Sequence, residues 1–221
     1  MAESGKRGTT VYDKDALVAI IRQKALRFGQ FTLASGKRAT YYLDGKQATL
    51  DPEGSRLVAE GILDLLAGGL GALPGSVRRK GAQPSAVDLI LDPGPAEFPA
   101  AIGGMSIGAD PITAAVVVMS AVRGTPLRGF MVRKEPKGHG TNQYVEGPVT
   151  PGEHVVIVED VVTTGGSSLA AIQRCEDFGL RVAGVLAVVD RMEGGAEAFA
   201  SRGYPLASLL TIRDFGIEPP A

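Results

Sequence analysis

Residues 154–190 read HVVIVEDVVTTGGSSLAAIQRCEDFGLRVAGVLAVVD, and this stretch decides the fold. The apolar run at 154–158 predicts a buried strand, 167–178 predicts a helix that ends at Gly179, and 181–190 predicts a second strand. A strand, a helix and a strand of these lengths form a parallel crossover unit. A helix around 196–202 and a strand over 206–212 continue the pattern, so the sequence predicts an α/β fold with helices on both faces of a central parallel sheet.

The first half of the chain predicts further elements of both kinds. Expected helices cover 13–28, 52–66 and 108–122, and expected strands cover 87–91 and 127–132. Residues 31–45, FTLASGKRATYYLDG, predict a hairpin around Ser35 and Gly36. The proline-rich residues 92–104 carry no clear pattern. Because the chain has 221 residues, 44% of them hydrophobic, we expect a single domain over 1–221 with one elaboration.

Composition excludes several classes of partner and site. The 23 Lys and Arg residues and 24 Asp and Glu residues give a net charge of -1, which provides no global attraction to nucleic acid or acidic membrane. Cys175 is the one cysteine, so an internal disulfide is excluded and a buried, inert thiol is expected. No secretory signal and no run of roughly 18 to 20 apolar residues is present, which favours a cytoplasmic protein without membrane contact.

The turn after the strand at 154–158 combines acids, glycines and hydroxyls. Glu159 and Asp160 follow the apolar run, and TTGGSS leads into the expected helix. Ligands of parallel sheets bind beyond the carboxyl ends of the strands, and a helix N-terminus favours phosphate. Two adjacent acids need a compensating ligand such as sugar hydroxyls or a hydrated cation. The pattern indicates a sugar-phosphate site; the alternative is a turn that needs glycines and carries two acids at a solvated edge.

The segment VVIVEDVVTTGGS, residues 155–167, resembles the 5-phosphoribosyl-1-diphosphate (PRPP) signature of type I phosphoribosyltransferases. The resemblance implies that the acids bind the ribose hydroxyls and that the turn binds the 5-phosphate. It implies PRPP contacts at Glu159, Asp160, Val161, Val162, Thr163, Thr164, Gly165, Gly166 and Ser167, with Asp160 also near the reacting carbon.

A basic segment, residues 131–147, reads MVRKEPKGHGTNQYVEG and holds one of the two histidines. One interpretation is a solvated basic loop. The pattern RKEPKGHG, however, resembles the catalytic loop of orotate phosphoribosyltransferases. This resemblance implies that Arg133, Lys134, Lys137 and His139 bind the diphosphate of PRPP and that Lys137 and His139 act in catalysis. It also implies a homodimer in which the loop serves the neighbouring subunit.

Two other segments resemble the same family. Residues 28–44 resemble its N-terminal hood, here about 12–50 ahead of a core at about 51–215, and imply orotate contacts at Tyr41 and Tyr42. The segment VVDRMEGG, 188–195, implies an orotate contact at Arg191, and Thr163 is expected beside the same ring. Residues 103–115 resemble the loop and helix on the diphosphate side. Ala34 stands where the family often has a lysine, which leaves open whether Lys37 or Lys46 replaces it.

The resemblance implies a pentosyltransferase of de novo pyrimidine biosynthesis. Ribose 5-phosphate would pass from PRPP to orotate, giving orotidine 5'-monophosphate and diphosphate. The expected cofactor is Mg2+, carried by PRPP and water rather than by a metal site of the protein. Two other functions are considered: a type I transferase for a purine or uracil, and a PRPP-sensing regulator that contacts nucleic acid.

Overall fold

The computed structural model describes residues 12–32, 38–68, 99–136 and 143–220, and its strands form two sheets. The strands are β1 (Leu26–Thr32), β2 (Arg38–Leu43), β3 (Ala101–Met105), β4 (Arg128–Val132), β5 (Val145–Glu146), β6 (His154–Val162), β7 (Arg181–Asp190) and β8 (Leu206–Thr211). The larger sheet has the order β5-β4-β3-β6-β7-β8. Only the β4-β5 pair is antiparallel there, so the predicted parallel sheet is confirmed.

Helices cover both faces of the larger sheet. They are α1 (Lys14–Lys24), α2 (Lys46–Thr49), α3 (Pro52–Gly68), α4 (Ala109–Arg123), α5 (Gly166–Phe178) and α6 (Gly195–Ala200), followed by a 3-10 helix at Ile212–Phe215. Alternate residues of β6 enter different cores: Val156 and Val158 join the core of α1, α3 and α4, whereas Val155 and Ile157 join that of α5. Residues 155–158 of the strand are all apolar because both faces of the strand are buried there.

The smaller sheet is a hairpin of β1 and β2. The helix predicted over 13–28 is wrong at its C-terminal end, because α1 ends at Lys24 and the chain enters β1 at Leu26. Leu26 pairs with Leu43, so the ladder of the hairpin extends back to the end of the helix. Local periodicity could not detect this boundary, since the competing partner lies 17 positions later in the sequence. The predicted turn at Ser35 and Gly36 lies outside the described residues.

Strand β3 occupies a segment in which sequence patterns were wrong or silent. Residues 92–104 carry no clear sequence pattern, and the family resemblance implies a loop followed by a helix over 103–115, yet Ala101–Met105 forms a buried strand between β4 and β6. A Cβ atom on Gly103 would lie 2.2 Å from the carbonyl oxygen of Phe130. Close packing therefore selects glycine here, against the usual preference of strands for larger side chains. The strand predicted at 87–91 lies outside the described residues.

The crossover unit at 154–190 forms largely as predicted. Helix α5 begins at Gly166, ends at Phe178 and is followed by Gly179 with a φ of 97°. Strand β6 is four residues longer than the predicted 154–158, because Val161 and Val162 pair with Val189 and Asp190 of β7.

Cys175 is fully buried in α5, as predicted, and burial raises the pKa of its thiol to about 12. No helix within the described ranges has the length and apolar character needed to cross a membrane.

Candidate functional site

The acid pair Glu159 and Asp160 lies in the second half of β6, toward the carboxyl edge of the sheet. Both residues are more than nine-tenths buried, at 7% and 9% exposure. Oε2 of Glu159 accepts a hydrogen bond of 2.8 Å from the hydroxyl of Ser168 in α5. Oδ1 of Asp160 accepts one of 2.9 Å from the backbone N–H of Val161. The pair therefore has fixed orientations, and it joins the strand to the helix that follows it.

Two glycines from distant parts of the chain approach the acid pair closely. A Cβ atom on Gly45 would lie 2.9 Å from Oδ2 of Asp160. One on Gly108 would lie 2.9 Å from Oδ1 of Asp160 and 3.2 Å from Oε1 of Glu159. The hairpin side and the β3-α4 loop thus meet at the acids. Sequence reasoning missed both glycines as site residues, since their single-residue signal is no stronger than that of many other loop glycines.

The turn between β6 and α5 is open at one end and packed at the other. Gly165 is buried with a φ of 80°, while Thr164, Gly166 and Ser167 are exposed and Thr163 is half-buried. The first backbone N–H groups of an α-helix have no partner inside the helix, and no side chain caps this one. These donors and hydroxyls form a cradle beside the acid pair whose chemistry suits an anion. Val161 and Val162, for which PRPP contacts are also predicted, form the end of β6, and Val162 is buried.

Arg191 lies immediately after β7 and contacts the hairpin. Its Nε donates a hydrogen bond of 3.0 Å to the hydroxyl of Tyr41, and its guanidinium carbon lies 4.8 Å from the centre of the Tyr41 ring. Its Nη2 atom lies 2.6 Å from Oε1 of Glu193. The sequence did not single out Glu193, although it lies two positions after Arg191. Tyr42 is 46% exposed and packs against Phe31, so the predicted tyrosine pair divides between the two faces of β2.

Lys46 places a positive charge near the acid pair. Its Nζ atom lies 2.8 Å from Oδ1 of Asp44 and 4.0 Å from Oδ2 of Asp160. The hydrogen bond that Lys46 donates to Asp44 is the main cause that raises the pKa of the lysine, so Lys46 is charged at neutral pH. Lys37 and Lys46 are the two candidates to replace the lysine that the family often has at the position of Ala34. Lys46 lies beside the acids, whereas Lys37 and Ala34 lie outside the described residues.

The basic segment begins where β4 ends. Arg133 donates to the carbonyl of Glu135 at 3.2 Å and to Oε1 of Glu146 at 3.0 Å, and Lys134 is exposed. The backbone N–H of Arg133 donates to the carbonyl of Tyr144 at 2.8 Å. Lys137 and His139 lie outside the described residues. The described part of the segment thus follows the carboxyl end of β4, the strand next to β3 in the larger sheet.

Burial raises the pKa of Glu159 from its ordinary 4.5 to about 7, and the charge of Asp160 adds to this effect while Ser168 opposes it. In the unfolded chain the pKa of Glu159 is the ordinary 4.5. Between pH 4.5 and about pH 7 the folded protein therefore binds more protons at this side chain than the unfolded chain does. We expect the free energy of unfolding of the wild type to fall, relative to Glu159→Gln, by at most about 1.4 kcal/mol per pH unit as the pH rises through this range. Above pH 7 the difference levels off.

Urea unfolding of both proteins without ligand, from pH 4.5 to pH 8, measures this difference. Glutamine still accepts the Ser168 bond, which isolates the titration. Parallel curves for the two proteins would show that Glu159 is not protonated by burial.

The chain is similar to known orotate phosphoribosyltransferases along most of its length. Residues 113–202 match the family model described as phosphoribosyl transferase domain. The orotate phosphoribosyltransferase of Rhodopirellula baltica is 51% identical over 207 residues, which cover 94% of this chain and 96% of the relative. That of Aquifex aeolicus is 39% identical, with 91% and 97% covered. The Mycobacterium tuberculosis enzyme crystallised in complex with PRPP has 29% identity and a TM-score of 0.67, with 92% and 99% covered.

Proposed function

The chain belongs to the orotate phosphoribosyltransferase family, and from this membership we propose how its site carries out the reaction. The enzyme transfers ribose 5-phosphate from PRPP to N1 of orotate and forms orotidine 5'-monophosphate and diphosphate. One observation carries the assignment of roles: the buried acid pair lies directly beside the cradle at the start of α5, with Ser168 of the helix bonded to Glu159. A sugar and its phosphate have the same side-by-side arrangement.

The acid pair binds the ribose, and the turn binds the 5-phosphate. Carboxylates accept hydrogen bonds from adjacent hydroxyls, and Glu159 and Asp160 present two such groups at one end of β6. Breaking the bond at the anomeric carbon builds positive charge on the sugar, which a fixed carboxylate stabilises. Residues 163–167 donate backbone and hydroxyl hydrogen bonds to the phosphate. The protein therefore contributes positioning and electrostatics, and the nucleophile is N1 of orotate itself.

Arg191 and Tyr41 receive the orotate. A guanidinium group binds a carboxylate through two parallel hydrogen bonds, and Arg191 faces the hairpin from the end of the strand next to β6. Its present partner Glu193 must release at least one donor when the substrate carboxylate arrives. Thr163, half-buried at the start of the turn, and Tyr42 complete the set proposed for orotate.

The diphosphate end of PRPP is assigned to Arg133, Lys134, Lys137 and His139, with Mg2+ as cofactor. Among the described residues, no group of three or more His, Cys, Asp or Glu side chains is arranged to hold a metal ion. The two carboxylates of the acid pair could accept hydrogen bonds from the water molecules of a hydrated ion that arrives bound to the diphosphate. When bound, Mg2+ supplies positive charge that favours departure of the diphosphate.

We further propose a homodimer in which the basic segment of one subunit serves the acid pair of the other. Mixing Lys137→Ala with Asp160→Asn subunits tests this. Free exchange of subunits gives half heterodimers, each with one fully intact site, so roughly a quarter of wild-type activity should return. The mixed sample is compared with each variant alone at equal concentration. A basic segment that acts within its own subunit would leave the mixture as inactive as its components.

The function is tested by following the loss of orotate absorbance after PRPP and Mg2+ are added. Turnover with orotate but not with adenine, guanine, hypoxanthine or uracil is expected. Turnover with a purine or uracil instead would favour a different type I transferase, and PRPP binding without turnover of any base would favour a PRPP-sensing regulator. The single catalytic domain of hood and core and the cytoplasmic location remain predictions from the sequence.

A further inference from the structure

The turn after β7 holds the backbone of Arg191 on both sides. The N–H of Arg191 donates a hydrogen bond of 2.9 Å to the carbonyl of Val162, the last residue of β6. On the other side, Oδ1 of Asp190 accepts a hydrogen bond of 2.8 Å from the N–H of Met192. A bond from the side chain of one residue to the backbone two positions later closes a turn around the residue between them. The backbone torsions of Arg191 are therefore fixed.

Met192 adopts a backbone conformation that its side chain disfavours. Its φ is 57°, and among the described residues it is the only one besides glycine with a positive φ. The left-handed conformation costs free energy in a residue with a Cβ atom, so another contact has to stabilise it. The hydrogen bond to Asp190 is such a contact. Asp190 is only 8% exposed, so little water competes for its acceptor.

The left-handed residue directs the chain back toward Arg191. Glu193 follows, and its Oε1 lies 2.6 Å from Nη2 of the arginine. Two positions later the turn packs against β6, because a Cβ atom on Gly195 would lie 2.4 Å from Cγ1 of Val162. A right-handed conformation at Met192 would redirect this whole turn. The guanidinium group would then lose both its backbone orientation and its neighbour Glu193.

We propose that Asp190 is a positioning residue of the base site: its bond to Met192 fixes the direction in which Arg191 meets the orotate carboxylate. The inference rests on the proposed function, because that function assigns orotate to Arg191. Asp190 does not touch the substrate and acts through the arginine. Arg191 and the other residues assigned to orotate lie in one subunit, so this effect is independent of which subunit supplies the basic segment.

Asp190→Ala tests the proposal by removing the acceptor. We expect the KM for orotate to rise about 10-fold, since a displacement of about 1 Å weakens the contact of a guanidinium group with its substrate, and the KM for PRPP to change far less. Burial is the main cause that raises the pKa of Asp190, so its pocket does not favour a charge. Asp190→Asn, which keeps an acceptor oxygen, should therefore retain a nearly normal KM for orotate.

Two double variants separate positioning from a general loss of stability. Met192→Gly added to Asp190→Ala should restore part of the KM for orotate, because glycine adopts a positive φ without the cost of a Cβ atom. In the Arg191→Met enzyme, Asp190→Ala should raise this KM no further, since the group that it positions is absent.

Asp13→Ala is the control for the loss of a bond between an aspartate and the backbone. Asp13 is exposed and accepts a hydrogen bond of 3.0 Å from the N–H of Ala16 at the start of α1. This variant should lose stability in thermal unfolding and keep both KM values. If Asp190→Ala does not fold, Met192→Ile and Met192→Gly replace it: isoleucine is poorly tolerated at positive φ and should raise the KM for orotate, whereas glycine should not.

The proposal is overturned if Asp190→Ala, or Met192→Ile in its place, leaves the KM for orotate unchanged or raises both KM values equally. It is also overturned if Asp190→Ala has its full effect in the Arg191→Met enzyme, or if neither Asp190→Asn nor the added glycine lowers the KM for orotate again. Failure of the proposed function is distinct, because it would appear as a wild type that does not consume orotate.

Discussion

Asp160→Asn lowers kcat/KM for PRPP by about 10²- to 10³-fold while the protein stays folded, as expected for removal of one fixed charge next to a developing cation. The substitution is nearly isosteric. Its Oδ1 atom can still accept the hydrogen bond of 2.9 Å from the N–H of Val161, so the end of β6 keeps its geometry. The carboxylate charge, and with it the attraction to Lys46 at 4.0 Å, is lost.

Steady-state kinetics with PRPP as the varied substrate measure this effect, and thermal unfolding verifies the fold. Asp64→Asn is the control, because Asp64 is a partly buried aspartate with a basic partner, Arg123 at 2.6 Å, in the α3-α4 contact away from the acid pair. We expect this control to lose some stability and little rate. An Asp160→Asn enzyme with full activity would remove the carboxylate from the mechanism.

Arg191→Met raises the KM for orotate by about 10- to 100-fold, because a charge-assisted pair with a carboxylate contributes about 1.5 to 3 kcal/mol. The KM for PRPP should change far less, since the acid pair lies on the neighbouring strand β6 and the turn follows that strand. Tyr41 keeps a partner in the variant, because its hydroxyl also lies 3.4 Å from Oε1 of Glu193. The hairpin should therefore stay in place.

Two further variants sharpen this prediction. Glu193→Gln removes the ion pair of 2.6 Å that occupies Arg191 in the free enzyme, so orotate should bind no more weakly than to the wild type. Arg213→Met removes an exposed arginine whose partner Glu218 is 3.7 Å away, and both KM values should stay unchanged. An unchanged KM for orotate in Arg191→Met would exclude this arginine from the base site.

The order of strand, acids, glycines and helix could be predicted because these residues are contiguous. Val155 to Val158 are apolar at every position, which indicates burial on both faces, and Gly179 marks the end of the helix. The acid pair and the cradle follow from the same local pattern. The sequence alone therefore specified the parallel crossover unit, the place of the acid pair and the glycine turn between its strand and helix, and the buried state of Cys175.

Tertiary structure decided which distant residues meet at that site. Lys46 and Gly45 reach Asp160 from the end of the hairpin, Gly108 reaches both acids from the β3-α4 loop, and Arg174 holds Arg133 and Lys134 from another element. The boundary between α1 and β1 and the glycine-containing strand β3 depend in the same way on partners far along the chain. Local periodicity reports which face of an element is buried, but the identity of the residue packed against that face is set by long-range packing, which only the folded chain specifies.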